Sequence, residues 1–102
     1  MKIPYYECNS SGNTFIILYP FNTSKILSPK FIQEICQSYS SEKVDGLILI
    51  RSKNKLFSID YYNNDGSWET FCLNGTICSS QILLENNINI KKIITGSGEC
   101  GI

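Results

Sequence analysis

Two short, wholly apolar runs constrain this chain most, Phe15-Ile16-Ile17-Leu18-Tyr19 and Leu47-Ile48-Leu49-Ile50. Each is the length of a β-strand and far below the roughly 20 residues that a helix needs to cross a bilayer. The first, rich in β-branched and aromatic residues, is read as a strand over Thr14–Tyr19. It is entered from the turn-forming run Asn9-Ser10-Ser11-Gly12-Asn13 and closed by Pro20. The second lies in a strand over Gly46–Ile50. The polar stretch Arg51-Ser52-Lys53-Asn54-Lys55 then suits a hairpin connection to a third strand, Leu56–Tyr62.

Two helices are expected between and after these strands. Ser28-Pro29 reads as an N-cap followed by proline at the first helical position. From Pro29 to about Tyr39, the residues Phe31, Ile32, Ile35, Cys36 and Tyr39 recur at three- and four-residue spacing and form a core-facing stripe. After the strong turn Asn63-Asn64-Asp65-Gly66 and a short extended piece over Trp68–Phe71, Thr76 to Asn86 is helix-like. Ile88–Thr95 alternates and reads as a last strand, with Gly96-Ser97-Gly98-Glu99-Cys100-Gly101 as a loop beyond it. No repeat or linker divides residues 1–102, so they are treated as one unit, a mixed α/β or α+β sheet wrapped on a helix.

Composition narrows the function classes. Nine basic and nine acidic residues leave no net charge and no run of one sign, so nucleic-acid binding has no electrostatic support. The first residues lack the apolar segment of a secretory signal, and no apolar run could span a membrane, so a cytoplasmic protein is expected. Five cysteines at unpaired spacings, Cys8, Cys36, Cys72, Cys78 and Cys100, argue against both a disulfide framework and a zinc knuckle. There is no histidine. Proton transfer within this chain therefore falls to a thiol, carboxylate, lysine or tyrosine.

Among these, Cys72 stands out because it falls between an extended piece and a helix. The amides and macrodipole of a helix N-terminus favour an anion, and such placement commonly lowers a thiol pKa from about 8.5 towards neutrality. Asn74-Gly75 lets the backbone bend and approach a ligand. The plainer alternative is that Cys72 is a small buried hydrophobe, as most free cysteines are. Asn13 and Asn63 are equally open to a purely backbone role in turns.

Several blocks in order resemble one family. Ser11-Gly12-Asn13-Thr14-Phe15, Val44-Asp45-Gly46-Leu47, Tyr62-Asn63-Asn64-Asp65-Gly66-Ser67 and Phe71-Cys72-Leu73-Asn74-Gly75-Thr76 are similar to successive motifs of diaminopimelate epimerases, from about Tyr6 to Thr95. The resemblance implies an α+β domain with a strongly curved, mostly antiparallel sheet wrapped around a central helix, with a second helix beside it. It implies an isomerase of amino-acid biosynthesis, in lysine formation, that racemises or epimerises an amino-acid substrate without pyridoxal phosphate or metal. Cys72 matches the catalytic thiol of the first domain, Asn13 and Asn63 match side chains that hold the substrate, and Leu73, Asn74 and Gly75 match the helix start that binds its α-carboxylate. The second thiol of such enzymes comes from a second, similar domain.

On that resemblance residues 1–102 are expected to be the first half of a two-domain epimerase, inactive alone. Two alternatives are a half-sized racemase that pairs with a second copy of itself, and a non-catalytic module that binds a small ligand or a partner. The chain departs from the family pattern with Asn9 in place of histidine, Ser41-Glu42-Lys43 in place of glycines, Leu73 in place of glycine and Ile77 in place of arginine. At position 73 a branched side chain is expected to conflict with glycine backbone geometry.

Overall fold

A computed structural model describes residues 5–21, 27–38, 43–54, 56–70 and 73–101. Its elements are β1 (Tyr5–Ser10), β2 (Asn13–Leu18), α1 (Pro29–Ser38), β3 (Gly46–Lys53), β4 (Leu56–Asn63), β5 (Trp68–Glu69), α2 (Leu73–Glu85), β6 (Lys92–Thr95) and β7 (Gly98–Gly101). The strands form a single sheet in the order β1-β2-β3-β4-β6-β7, with β5 also paired to β4. β2 with β3 and β4 with β6 are parallel, and the other four pairings are antiparallel. This is the expected α+β class.

The two parallel pairings each enclose a helix, and the helices cover opposite faces. Phe15 and Ile17 of β2 and Ile48 and Ile50 of β3 pack with Cys78, Ile82 and Leu83 of α2. The alternate residues Ile16, Leu18, Leu47 and Leu49 pack with Ile32, Ile35 and Cys36 of α1. A strand buried on both faces has no polar side to alternate with, which is why these two runs are continuously apolar. Strand side chains alternate from face to face, so every residue of the central strands is assigned to the α1 face or the α2 face by its parity. α2 lies against β1, β2, β3 and β4, so the sheet wraps it.

Local chemistry sets the helix ends. The Ser28 hydroxyl accepts the Phe31 N–H at 3.2 Å, the N-cap expected before Pro29. At the far end of α2, Asn87 takes a positive φ of 63°. The Ile88 N–H then reaches the Leu83 carbonyl at 2.9 Å and the Asn87 N–H the Leu84 carbonyl at 2.9 Å. Those two bonds define a Schellman end, with Ile88 packed beside Leu83 in the core.

Several sequence-derived boundaries move. β1 was not expected: Asn9 and Ser10 belong to it, and only Ser11 and Gly12, both at positive φ, make the two-residue turn to β2. Arg51, Ser52 and Lys53 continue β3 rather than forming a connection, because Ser52 and Lys53 pair with Phe57 and Leu56. Phe31 is 38% exposed, off the core stripe that Ile32, Ile35 and Cys36 form; Tyr39 lies outside the described residues. Helix α2 begins at Leu73, three residues before Thr76. Ile88–Lys91 is not strand, whereas Gly98–Gly101 is, paired back onto β6 instead of forming a loop.

Candidate active site

Three of the four motif blocks meet at one end of the sheet, where β2 and β3 begin and β4 ends. Gly46, the first residue of β3, lies opposite Phe15 on one side and Asn63 on the other. Asn13 shares the parity of Phe15, and Asn63 that of Ile59 and Tyr61, both of which pack on the α2-face core. Asn13 and Asn63 therefore both project on the face that carries α2. Two strand spacings across and two residues along place their Cα atoms about 12 Å apart.

The floor between them is formed by glycine and aromatic rings. A Cβ on Gly46 would lie 2.8 Å from Tyr61 Cε2 and 2.9 Å from its hydroxyl, so the Tyr61 ring lies directly over the glycine. It meets Phe15 edge-on, with ring centroids 5.8 Å apart and planes at 74°. On the far side of this floor, the Asn63 amide donates to Ser67 Oγ and to Glu69 Oε1, each at 3.1 Å. Leu73, the first residue of α2, follows Glu69 by four residues, no more than about 14 Å of extended chain. The helix start is thus tethered to the Asn63 end of the sheet, while Asn86, just past its last residue, is bonded to the Tyr6 hydroxyl.

Leu73, Asn74 and Gly75 form the first turn of α2. Leu73 has ordinary helical backbone and is 62% exposed, so the expected conflict with glycine geometry does not arise. Ile77, one turn on, is 51% exposed. Cys72 precedes α2 in sequence and lies outside the described residues. Of the other thiols, Cys36 and Cys78 are buried in the two cores, and burial pushes Cys36 up to about 11, well away from a reactive thiolate. Among the described residues no three acidic or cysteine side chains cluster in a way that could hold a metal ion.

The acidic residue of the Asn63–Ser67 block serves the backbone. Asp65 Oδ1 accepts the Ser67 N–H at 2.8 Å and the Ser67 hydroxyl at 2.6 Å, and these bonds hold its carboxyl below the usual range. Gly66, at φ 93°, lies against Pro29 of α1, where a Cβ would come within 2.6 Å of backbone atoms. Gln33 of α1 donates to the Asp65 carbonyl at 2.6 Å. The turn is therefore fixed to α1, which explains its Asp-Gly-Ser composition without a catalytic carboxylate. Sequence reasoning missed a set of bonds at the strand ends of the site, made by Asn9, Thr14, Asp45 and Asn64. The one signal for it was an aspartate placed directly before the glycine that opens a buried strand.

This α+β arrangement is shared with solved proteins of the phenazine biosynthesis PhzF family. The Enterococcus faecalis protein superposes with a TM-score of 0.68 at 14% identity, over 97% of this chain and 39% of that one. The Bacillus anthracis protein gives 0.61 at 16% identity, over 95% and 33%. By sequence the chain is similar to diaminopimelate epimerases, which identifies the relatives more narrowly than the fold does. It is 32% identical to that of Leptospira biflexa over 96% of this chain and 36% of the relative, and 35% identical to that of Thermotoga maritima over 91% and 38%. The Halothermothrix orenii epimerase is 27% identical over 92% and 34%. The chain thus spans about a third of the length of the curated relatives it matches. No protein-family model matches the sequence.

Proposed function

We infer that residues 1–102 are the N-terminal half-domain of a cytoplasmic, cofactor-independent amino-acid epimerase acting on diaminopimelate or a related amino acid, with Cys72 as one of its two acid–base thiols. The observation that carries this reading is the common face of Asn13 and Asn63, on the side of the sheet that carries α2, in a chain similar to diaminopimelate epimerases. In this account the two asparagines hold the substrate's polar groups, and the helix start at Leu73, Asn74 and Gly75 holds its α-carboxylate. The positive end of α2 stabilises the charge that builds on that carboxylate as the α-proton leaves. Cys72, next to the same helix start, takes the proton as thiolate. A second thiol on the opposite face of the substrate, from a second domain or a second copy of the chain, returns one as thiol. Inversion needs both thiols, whereas a single thiolate that takes the α-proton and exchanges it with solvent can return a deuteron to the same face.

Thiol labelling tests the reading. At pH 7, iodoacetamide should modify Cys72 ahead of Cys8, Cys36, Cys78 and Cys100, as peptide mapping would show, and millimolar diaminopimelate should slow that modification. Labelling of Cys72 no faster than of Cys8 and Cys100, and indifferent to diaminopimelate, would remove the basis for its role.

A further inference from the structure

We propose that Asp45 is a positioning residue that fixes Asn13 and Asn63 with respect to each other, a role that rests on the substrate-holding reading of those two asparagines. Asp45 lies immediately before β3, between the strand ends that carry the two asparagines. It is bonded to the chain neighbour of each. Asp45 Oδ2 accepts the Thr14 N–H at 2.9 Å, and the Asp45 N–H donates to the Thr14 carbonyl at 2.8 Å. This reciprocal pair extends the β2–β3 ladder one step beyond its first rung, Phe15 opposite Gly46. On the other side the Asn64 N–H donates to the Asp45 carbonyl at 3.1 Å, and the Asn64 amide donates to the Val44 carbonyl at 3.0 Å. Thr14 is braced in turn by the Asn9 amide, which donates to its hydroxyl at 2.9 Å.

Asp45 thus links Thr14, which follows Asn13, to Asn64, which follows Asn63. Thr14 is buried, so its N–H depends on the carboxylate for a partner. Strand ends fray where pairing stops, and both asparagines are at strand ends. A clamp at this point converts two fraying ends into one rigid pair of donors, which is what holding a small ligand in one pose requires. The carboxylate is engaged with the Thr14 N–H and acts through its neighbours.

Nuclear magnetic resonance on the labelled 102-residue chain tests this with Asp45→Ala, Asp45→Asn and Asn64→Ala. The wild type should show a scalar coupling across the hydrogen bond from Thr14 nitrogen to the Asp45 side-chain carbon. Asp45→Ala should shift or broaden the side-chain amide signals of both Asn13 and Asn63, leave the Ile82 and Leu83 methyl signals in place, and weaken diaminopimelate-induced shifts at both asparagines about ten-fold or more. Asp45→Asn, which keeps an acceptor for Thr14, should restore them. Asn64→Ala should move Asn63 and leave Asn13, and it keeps the proposal open to refutation if Asp45→Ala does not fold. Asparagine signals unmoved by Asp45→Ala, or by Asn64→Ala where the former is unfolded, would overturn it. Diaminopimelate without effect on the wild type, but asparagine signals still coupled to Asp45, would sink the substrate reading while supporting the clamp.

Discussion

Replacing Gly46 with alanine tests the floor of the site and the strand junction together. The new Cβ would sit 2.6 Å from the Tyr62 carbonyl oxygen and within 3 Å of a ring carbon and the hydroxyl of Tyr61. The ring could swing aside, but the carbonyl belongs to β4, which pairs with β3 along its whole length, and Gly46 is also held to β2 through Phe15. Relief therefore requires parting the first rung of β3 from β4. Overpacking costs about 1–3 kcal/mol, and a lost main-chain hydrogen bond adds about 1 kcal/mol. The alanine stiffens the unfolded chain and recovers about 0.4–1 kcal/mol. The net loss is about 2–3 kcal/mol, which in a domain of this size lowers the melting temperature by about 10–20 °C. Calorimetry reads the shift, and near-ultraviolet circular dichroism reads the displaced Tyr61 ring. A melting temperature within about 2 °C of wild type, with unchanged aromatic dichroism, would refute the close approach of Tyr61 and Tyr62 to position 46.

Two further outcomes follow from the cores. Leu83→Ala removes a fully buried side chain of α2 from beneath the sheet and should cost about 2–5 kcal/mol in denaturant unfolding, whereas Leu84→Ala, one residue on and exposed, should cost less than about 1 kcal/mol. Cys36 has a folded-state pKa raised from 9.0 to about 11, so its contribution is complete below pH 9 and is lost as pH rises through about 11. Wild type should accordingly lose about 2 kcal/mol of stability between those values relative to Cys36→Ala, measured by urea titration at each pH.

The fold was legible where burial leaves a mark on composition. Phe15–Leu18 and Leu47–Ile50 are apolar throughout because both sheet faces are covered, and Ser28-Pro29 carries its cap in its own side chains. β1 was not legible, since Tyr5–Ser10 is an edge strand whose alternately exposed residues include Glu7 and Asn9. β7 was hidden for a related reason: Gly98-Glu99-Cys100-Gly101 has no strand propensity and is extended only because β6 pairs with it. The start of α2 was set three residues late because Asn74 and Gly75 are poor helix formers that the first turn of a helix nevertheless tolerates. In the candidate site, the asparagines could be named from their motifs, but their shared face could not. That depends on which strand pairs with which, and on the register that sets Gly46 opposite both Phe15 and Asn63. The Asp45 clamp is of the same kind, joining residues 31 positions apart through one carboxylate oxygen.

The most direct measurement of the central claim is α-proton exchange. Wild type and Cys72→Ser, each at the highest soluble concentration, would be incubated with diaminopimelate in deuterated water, and deuterium at the α-carbon followed by proton resonance. Exchange by the wild type that is abolished in Cys72→Ser is the predicted result, and exchange that proceeds equally in both would contradict the assignment of Cys72 as the proton-transferring thiol.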